Sequence, residues 1–274
     1  MTTPLKAPVE WSVLLADAVS TPGLISSAYT RFWNYSIGNQ LLAQWQCRLR
    51  GIPPGPINTF LGWKDLGRNI RKGEKALILC MPIQVRAKEE EQDESTNEPE
   101  SKEGRTFNRF LYRANWFTLA QTDGEPYVSQ ELPSWSEERA LSTLGISRVP
   151  FQHTDGNVQG YAINKSVSIS PIAFLPHRTL FHELGHVVLG HTEEAQQIDA
   201  PHTPRSLREV EADSVALICC ESLGLPGSEY CRGYIQHWLK SEKIPERSAH
   251  KIFKAADQIL RSGRAVTSST QPTV

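Results

Sequence analysis

Apolar residues recur at helical spacing through the first fifty residues. Residues 9–20 have the pattern of a short amphipathic helix, and residues 32–50 have that of a longer one that ends at Gly51. The apolar face predicted for the longer helix consists of Leu41, Leu42, Trp45 and Leu49. Three prolines and a glycine between residues 52 and 58 then mark a turn, so we expect the structure to change there.

The next segment has the apolar pattern of strands. We predict a short helix around residues 64–69, a turn at residues 72–73 and a strand over residues 76–85. A second strand over residues 109–122 completes a hairpin. Between the strands, residues 88–104 include eight acidic residues and no aromatic or aliphatic one, which predicts a disordered loop inserted into the hairpin.

The second half of the chain is mainly helical. A connector over residues 123–136 contains proline and glutamate, and we place a domain boundary there. An alternating strand is expected over residues 160–171, and helices are expected over residues 136–144, 176–191, 208–224, 228–240 and 245–262. These patterns predict an α+β fold of two domains. They are a mixed α/β domain over residues 1–125 and a mainly helical domain with a small sheet over residues 136–264, followed by a flexible tail over residues 265–274.

The composition is that of an ordinary globular protein. Hydrophobic residues make up 39% of the chain, charged residues 22%, and the net charge of −1 gives no global indication of a nucleic-acid partner. The five cysteines form no C-x-x-C pair, their number is odd, and no secretory signal precedes them. We therefore expect reduced thiols and a cytoplasmic location. No apolar run approaches ~18 residues, so we expect no membrane span.

The segment TLFHELGHVVLGH, residues 179–191, carries the most specific chemical pattern. Residues four apart share a helix face, so His182 and His186 can offer two imidazole nitrogens to one ion. Glu183 is placed to act as a general base on a water at that ion without being a ligand. The flanks are apolar, and polar groups in a buried helix are costly unless they are satisfied. The pattern therefore predicts a catalytic zinc site, with Mn²⁺ or Co²⁺ as alternative metals, rather than two ordinary histidines.

A catalytic zinc ion needs a third protein ligand, and the helix that follows offers Glu209 and Glu211. Glu209 and Asp213 are four apart, and Asp213 could accept a hydrogen bond from the outer nitrogen of a ligand histidine. We favour Glu209 and keep Glu211 as the alternative. His191 does not fit a third histidine ligand, because it follows His186 by five residues and that pattern places the third histidine six residues on.

A peptidase needs two further features. The strand over residues 160–170 could pair with an extended peptide, although it could equally be an ordinary sheet strand. A group that stabilises the oxyanion is also required. The candidates, among which the sequence does not choose, are His202, Tyr230, Tyr234 and His237.

Basic and aromatic residues are interleaved in the front half. Between residues 26 and 87 there are nine basic residues against two acidic ones, a local net charge of +7. Cations neutralise phosphates and aromatic faces stack on unpaired bases, so the mixture favours a single-stranded nucleic-acid surface. The alternative is an aromatic core under a solvated basic face, which helical spacing favours for Trp45. The residues predicted to contact DNA are Trp63, Lys64, Arg68, Arg71, Lys72, Lys75, Arg48 and Arg50.

Taken together, the two halves resemble the ArdC-like antirestriction proteins of plasmids and other mobile elements. The resemblance rests on NYSIGNQLLAQWQ at residues 34–46, FLGWKDLGRNIRKGEKAL at residues 60–77, HELGHVVLGH at residues 182–191, and the E-x-E-A-D helix. The pattern of the back half also resembles ImmA/IrrE-type metallopeptidases. Over nearly the whole chain, the motifs occur in the order that this family shows.

The resemblance implies a front domain that binds single-stranded DNA, a zincin-like metallopeptidase domain, and protection of incoming DNA from host restriction. It assigns metal binding to His182, His186 and Glu209 and the general base to Glu183, as in a gluzincin-like enzyme of unknown substrate. A second hypothesis is a dedicated cytosolic zinc peptidase that cleaves a repressor or a restriction-related protein. A third is a pure binding module with a vestigial site, against which the intact Glu183 argues. The expected partners are single-stranded DNA and a protein substrate, without a membrane.

Overall fold

The structure is a computed structural model, and it describes residues 6–86, 106–192, 203–240 and 242–265. The acidic segment at residues 88–104 and His202 lie outside the described residues, as does the tail beyond residue 265. The predictions made for those segments therefore stay predictions.

Three helices begin the chain: α1 (Trp11–Ser20), α2 (Leu24–Phe32) and α3 (Ile37–Arg50). The single helix predicted over residues 32–50 is wrong at its start, because the chain turns between α2 and α3. Tyr35 donates its backbone N–H to the carbonyl of Phe32, and Ser36 has an extended backbone from which α3 begins. Gly51, with φ +62°, ends α3 in the left-handed conformation that favours glycine.

The predicted apolar face of α3 is correct in part. Leu41 and Leu42 are buried and Trp45 packs against the core, but Leu49 is 70% exposed. Leu49 lies in the last turn of the helix, on a side that is left open to solvent. Periodicity alone cannot show where a neighbouring element ends.

The front half contains one three-stranded antiparallel sheet of order β1-β4-β3, in which the predicted hairpin is confirmed. Its strands are β1 (Ile57–Thr59), β3 (Leu77–Arg86) and β4 (Thr106–Thr118), and a separate pair is formed by β2 (Arg68–Ile70) and β5 (Thr122–Gly124). The helix predicted at residues 64–69 is wrong. Helix α4 (Phe60–Asp65) comes earlier, because the Thr59 side chain accepts the backbone N–H of Gly62 at 3.1 Å and starts it there.

Side chains of α3 cover the outer edge of β3. Asn39 exchanges two hydrogen bonds of 2.8 and 2.9 Å with the backbone of Cys80, and Gln46 exchanges two of the same lengths with the backbone of Ile78. Seven residues make two turns of α3, and the two strand residues point their backbone groups to the same side. Two amide side chains thus take the place of a neighbouring strand and block edge-to-edge pairing.

The back half begins with α5 (Glu137–Leu144) and a second three-stranded sheet of order β6-β8-β7. Its strands are β6 (Ser147–Arg148), β7 (Gly160–Ile163) and β8 (Ser166–Ile169). The single strand predicted over residues 160–171 is therefore wrong, since it folds into a hairpin. Its turn starts at Asn164, with φ +50°, a conformation that asparagine tolerates better than most residues.

Four helices follow within the described residues: α6 (Pro176–Val188), α7 (Arg205–Leu223), α8 (Ser228–Leu239) and α9 (Glu246–Gly263). Their positions confirm the helices predicted from periodicity, with bounds shifted by a few residues. Helix α7 is central, being buried almost continuously from Val210 to Ser222. No helix in the described part of the chain is long and apolar enough to cross a bilayer.

The two halves share one continuous core, which makes the architecture a tightly joined α+β fold. Arg232 of α8, 7% exposed, donates to the carbonyls of Ala18 and Val19 at the end of α1 and pairs with Glu221 of α7. Such a buried arginine is costly unless all these partners are present. The boundary that we place within residues 123–136 stays a prediction.

The hydrogen bonds of Asn39 and Gln46 to the edge of β3, here called the α3 clamp, can be tested through the stability of the protein. In Gln46→Ala, the backbone N–H and carbonyl of Ile78 lose their partners, and we expect the free energy of unfolding to fall by roughly 2–3 kcal/mol. Gln44→Ala is the matched control, because Gln44 is equally buried on the same helix and makes one long bond of 3.4 Å, to Ser27. Urea unfolding followed by circular dichroism measures both. Equal losses would contradict a role for the clamp.

Candidate metal centre

The predicted metal-binding residues meet where α6 crosses α7. At the crossing, a Cβ added to Gly185 would lie 3.2 Å from the Cα of Ala212 and 3.3 Å from its carbonyl oxygen. Such contacts are tighter than packed side chains normally allow, so glycine is what lets the two helices approach this closely. The approach brings His182 and His186 of α6 opposite Glu209 of α7.

The three side chains form a small triangle of donor atoms. The Nε2 atoms of His182 and His186 are 3.1 Å apart, and Oε2 of Glu209 lies 3.3 and 3.5 Å from them. A tetrahedral zinc ion with bonds of about 2.0–2.1 Å holds its ligand atoms about 3.4 Å apart. The spacing and the nitrogen–oxygen donor set therefore fit one divalent cation.

Asp213 orients the first histidine, as its spacing from Glu209 predicts. Its Oδ1 lies 3.0 Å from Nδ1 of His182 and 2.5 Å from a guanidinium nitrogen of Arg178. With Nδ1 protonated toward the carboxylate, Nε2 of His182 presents its lone pair to the triangle. Arg178 neutralises Asp213, which is only 5% exposed in its side chain.

A second chain of contacts orients His186, and the sequence did not reveal it. Its Nδ1 lies 3.0 Å from Nδ1 of His191, whose Nε2 lies 3.0 Å from Oε2 of the buried Glu211. Glu211 therefore faces His191 instead of the triangle, and the geometry favours Glu209 as the third candidate ligand. The signal in the sequence is His191 itself, which serves here as a hydrogen-bond partner of His186 and not as a ligand.

Glu183 is buried, at 7% exposure, beside the two histidines. Burial raises the pKa of its carboxyl group, and the nearby imidazoles of His182 and His186 only partly oppose this. A carboxylate with a raised pKa is a better proton acceptor near neutral pH. Strand β7 runs alongside, since a Cβ on Gly160 would lie 3.3 Å from Cγ of Glu183.

The histidines and the carboxylate of the triangle influence each other's protonation. Burial disfavours a charged His182, but hydrogen bonds to Asp213 and Glu209 outweigh it and raise the pKa of His182 to about 9. Hydrogen bonds from His182 and His186 hold the pKa of Glu209 well below its usual range. The site thus concentrates negative charge that a proton or a metal cation can compensate.

Among the oxyanion candidates that the structure describes, Tyr234 is the one with an electrostatic link to the centre. Burial raises the pKa of its phenol, and the charges of Glu209 and Asp213 raise it further. Tyr230 instead contacts the ring of Phe174, with centroids 6.2 Å apart. His237, on the same helix, is exposed.

The predicted DNA contacts separate into two groups, and Trp63 requires a correction. Its ring is fully buried and its Nε1–H donates to the carbonyl of Phe117 at 2.8 Å, so it cannot stack on a base in this structure. Trp63 is buried because α4 packs on the sheet through this side chain. The mixture of basic and aromatic residues around Trp63 in the sequence did not indicate this burial.

Four arginines of the predicted DNA surface are occupied within the fold. Arg48 pairs with an aspartate of α1, and Arg68 donates to backbone carbonyls of residues 122–125. Arg50 and Arg71 also donate to backbone carbonyls. The lysines Lys64, Lys72 and Lys75 are exposed, and no ion pair among the described residues engages them.

Comparison with known proteins identifies the fold. Residues 16–114 match the family model of the N-terminal domain of anti-restriction factor ArdC. The metal-free crystal structure of antirestriction protein ArdC from plasmid R388 is 21% identical, with a TM-score of 0.52, and 92% of this chain and 94% of that one are covered. Its Mn(II)-bound structure is 20% identical, with a TM-score of 0.51 and coverages of 95% and 99%. No curated protein matches the chain.

The fold and the histidine–glutamate triangle define an α+β protein with a candidate divalent-metal centre. Its front segment, residues 16–114, resembles the ArdC N-terminal domain, and its fold follows that of ArdC along almost the whole chain. The resemblance drawn from the sequence motifs is thereby confirmed.

The two glutamates of α7 make a matched pair for testing the centre. Glu209→Gln removes a charged donor from the triangle, and we expect at least a roughly 100-fold loss of Mn²⁺ or Zn²⁺ affinity in isothermal titration. Glu211→Gln can still accept the N–H of His191, so a loss within about tenfold is expected. The reverse order of losses would assign the ligand to Glu211.

Proposed function

We propose that the protein is an antirestriction protein of a mobile element that binds single-stranded DNA and protects incoming DNA in the recipient cytoplasm. Its back half is a zinc-dependent metallopeptidase of the gluzincin type. The match of residues 16–114 to the ArdC N-terminal domain supports the first part. The observation that carries the second is the triangle of His182, His186 and Glu209 beside the buried Glu183.

The triangle would hold the cation through two imidazole nitrogens and one carboxylate oxygen. Zinc suits this donor set, and Mn²⁺ or Co²⁺ are the alternatives. Mn(II) is the ion named for the similar ArdC structure. When bound, such an ion supplies Lewis-acid polarisation of a water or a carbonyl oxygen.

The protein's own residues would handle protons and orientation. Glu183 takes the proton of the attacking water and returns it to the leaving amine, for which its raised pKa suits it. Asp213 holds the tautomer of His182, and Glu211 holds that of His186 through His191. The hydroxyl of Tyr234 is then the candidate donor to the oxyanion.

The exposed edge of strand β7 suggests that the substrate is a peptide. It lies at the edge of its sheet, next to Glu183, and is paired on its other side with β8. An extended peptide could add to such an edge by main-chain hydrogen bonds and bring a peptide bond to the centre. This supports a protein substrate over a small molecule.

The same feature is what favours the alternative of a dedicated peptidase that cleaves a repressor or a restriction-related protein. That alternative needs no DNA contact, so binding to DNA separates the two.

Exposed groups around α4 support the DNA role. Lys64 on α4 and Lys72 and Lys75 beyond it are exposed cations that can meet phosphates. Phe60 and Leu61 at the start of α4 are 51% and 67% exposed, and they offer the apolar surface that the buried Trp63 does not. Stacking on single strands needs such exposed faces.

A Glu183→Gln variant tests the peptidase assignment. It keeps the triangle, so Mn²⁺ or Zn²⁺ should bind within about tenfold of the wild-type affinity, while peptide hydrolysis should fall by roughly 10²–10⁴-fold. Hydrolysis is measured on casein or a quenched peptide library. Full activity in this variant would exclude Glu183 as the base, and loss of metal binding would show a structural role instead.

Salt-dependent binding tests the DNA assignment. In gel shifts at two salt concentrations, the wild type should prefer a labelled single strand to the matching duplex. Changing Lys64, Lys72 and Lys75 to Gln together should reduce the salt slope by about 2, three charges at ~0.7 each. The control changes the exposed back-half lysines Lys165, Lys240 and Lys243 to Gln, with the same loss of charge. Equal effects of the two triple variants would contradict a specific surface.

A further inference from the structure

A cleft separate from the metal centre lies where α1, β4 and α9 meet. Its cavity of about 230 Å³ is bordered mainly by apolar atoms, with Trp11, Phe110 and Phe253 among its lining residues. Pockets for drug-sized ligands measure ~300–1,000 Å³, so this one suits a single ring system. Neither the metal triangle nor the basic surface near α4 contributes to it.

Aromatic rings form the walls of the cleft. The ring of His250 lies 6.1 Å from Phe110 and 6.4 Å from Trp11, both edge to face, and Phe253 lies 6.1 Å from Trp11. The cleft also depends on Gly38, where a Cβ would come within 2.9 Å of the Trp11 ring. Glycine here lets the indole rest against α3.

Phe110 is the feature that the fold does not explain. It is 55% exposed on β4 at the rim of the cleft, whereas Leu111 and Tyr112, the next two residues of the strand, are half-buried. An exposed ring next to an apolar cavity has a free face on which a planar ligand can stack.

Two exposed cations lie on the side of α9 that borders the cleft. Lys254 lines it, and Arg247 lies on the same face of α9, seven residues earlier. Both are exposed, and no ion pair within the described residues engages them. The nearby acids are occupied: Glu246 accepts backbone N–H groups at the start of α1 at 2.9 and 2.8 Å, and Asp257 pairs with an arginine at 2.9 Å.

We propose that this cleft takes one nucleobase of a DNA single strand, stacked against Phe110, with the flanking phosphates at Lys254 and Arg247. An aliphatic side chain or an acyl group would use the apolar walls but not the cations, so a nucleotide complements the cleft better. The inference rests on the proposed single-strand binding and extends the DNA surface to the last helix of the back half.

The test uses the full chain and a fluorescein-labelled oligonucleotide, with affinity read from fluorescence polarisation. Stacking is worth ~1–3 kcal/mol per base, so Phe110→Leu, which keeps the apolar bulk, should weaken binding about tenfold without changing the salt slope. Phe110→Tyr should bind like the wild type. Lys254→Gln should instead reduce the salt slope by about 0.7.

Two controls separate the cleft from general surface effects. Phe174→Leu alters a ring that is even more accessible, 76% exposed against 55% for Phe110. Lys165→Gln removes an exposed charge away from the cleft, and neither change should alter binding. A strand with abasic sites should bind the wild type about tenfold more weakly, whereas Phe110→Leu should no longer distinguish it from the intact strand.

The outcomes distinguish this inference from the function on which it rests. If the wild type binds single strands but Phe110→Leu binds equally well, the cleft assignment is wrong and the DNA role stands. If a peptide or a detergent occupies the cleft and DNA does not compete, the occupant is not a nucleobase. If the wild type binds no single strand at all, the proposed DNA function fails and the cleft assignment with it.

Discussion

The crossing of α6 over α7 is the contact on which the candidate centre depends. Two donor atoms lie on one helix and the third on the other, so their spacing is set by how closely the helices approach. Gly185 against Ala212 allows that approach, since a side chain at Gly185 would have to displace backbone. Metal sites tolerate errors of about 0.2 Å in ligand distance, so the shift of a few tenths of an ångström that a methyl group at Gly185 would require already matters.

The buried charges around that crossing are arranged in pairs. Asp213 lies between Arg178 and His182, and Glu211 lies behind His191. Burying a carboxylate without partners is costly in free energy. Removing one partner from either group would therefore destabilise the fold. Each histidine of the triangle thus has a carboxylate that fixes its ring, directly in one case and through a second imidazole in the other.

The two halves of the chain are mechanically joined. Arg232 reaches from α8 to the end of α1, and Arg264 lies over the rings of Tyr29 and Trp33, 5.0 and 5.6 Å from their centroids. Helix α7 carries Glu209 near its start, packs against α2, and carries Glu221, the partner of Arg232, near its end. A displacement of the front helices would therefore be transmitted to α7, the helix that carries Glu209.

Local pattern alone determined the helices of the back half, the β3–β4 hairpin and the pairing of His182 with His186, because helical spacing and strand alternation are properties of neighbouring residues. It also favoured Glu209, since the partner Asp213 lies one turn away. Tertiary structure decided what spacing cannot express. The burial of Trp63, the use of four arginines as internal donors, and the His191–Glu211 contact all join residues distant in sequence. The sequence does not show whether an aromatic ring or a guanidinium group is buried or exposed. Its role depends on the residues that the fold packs against it.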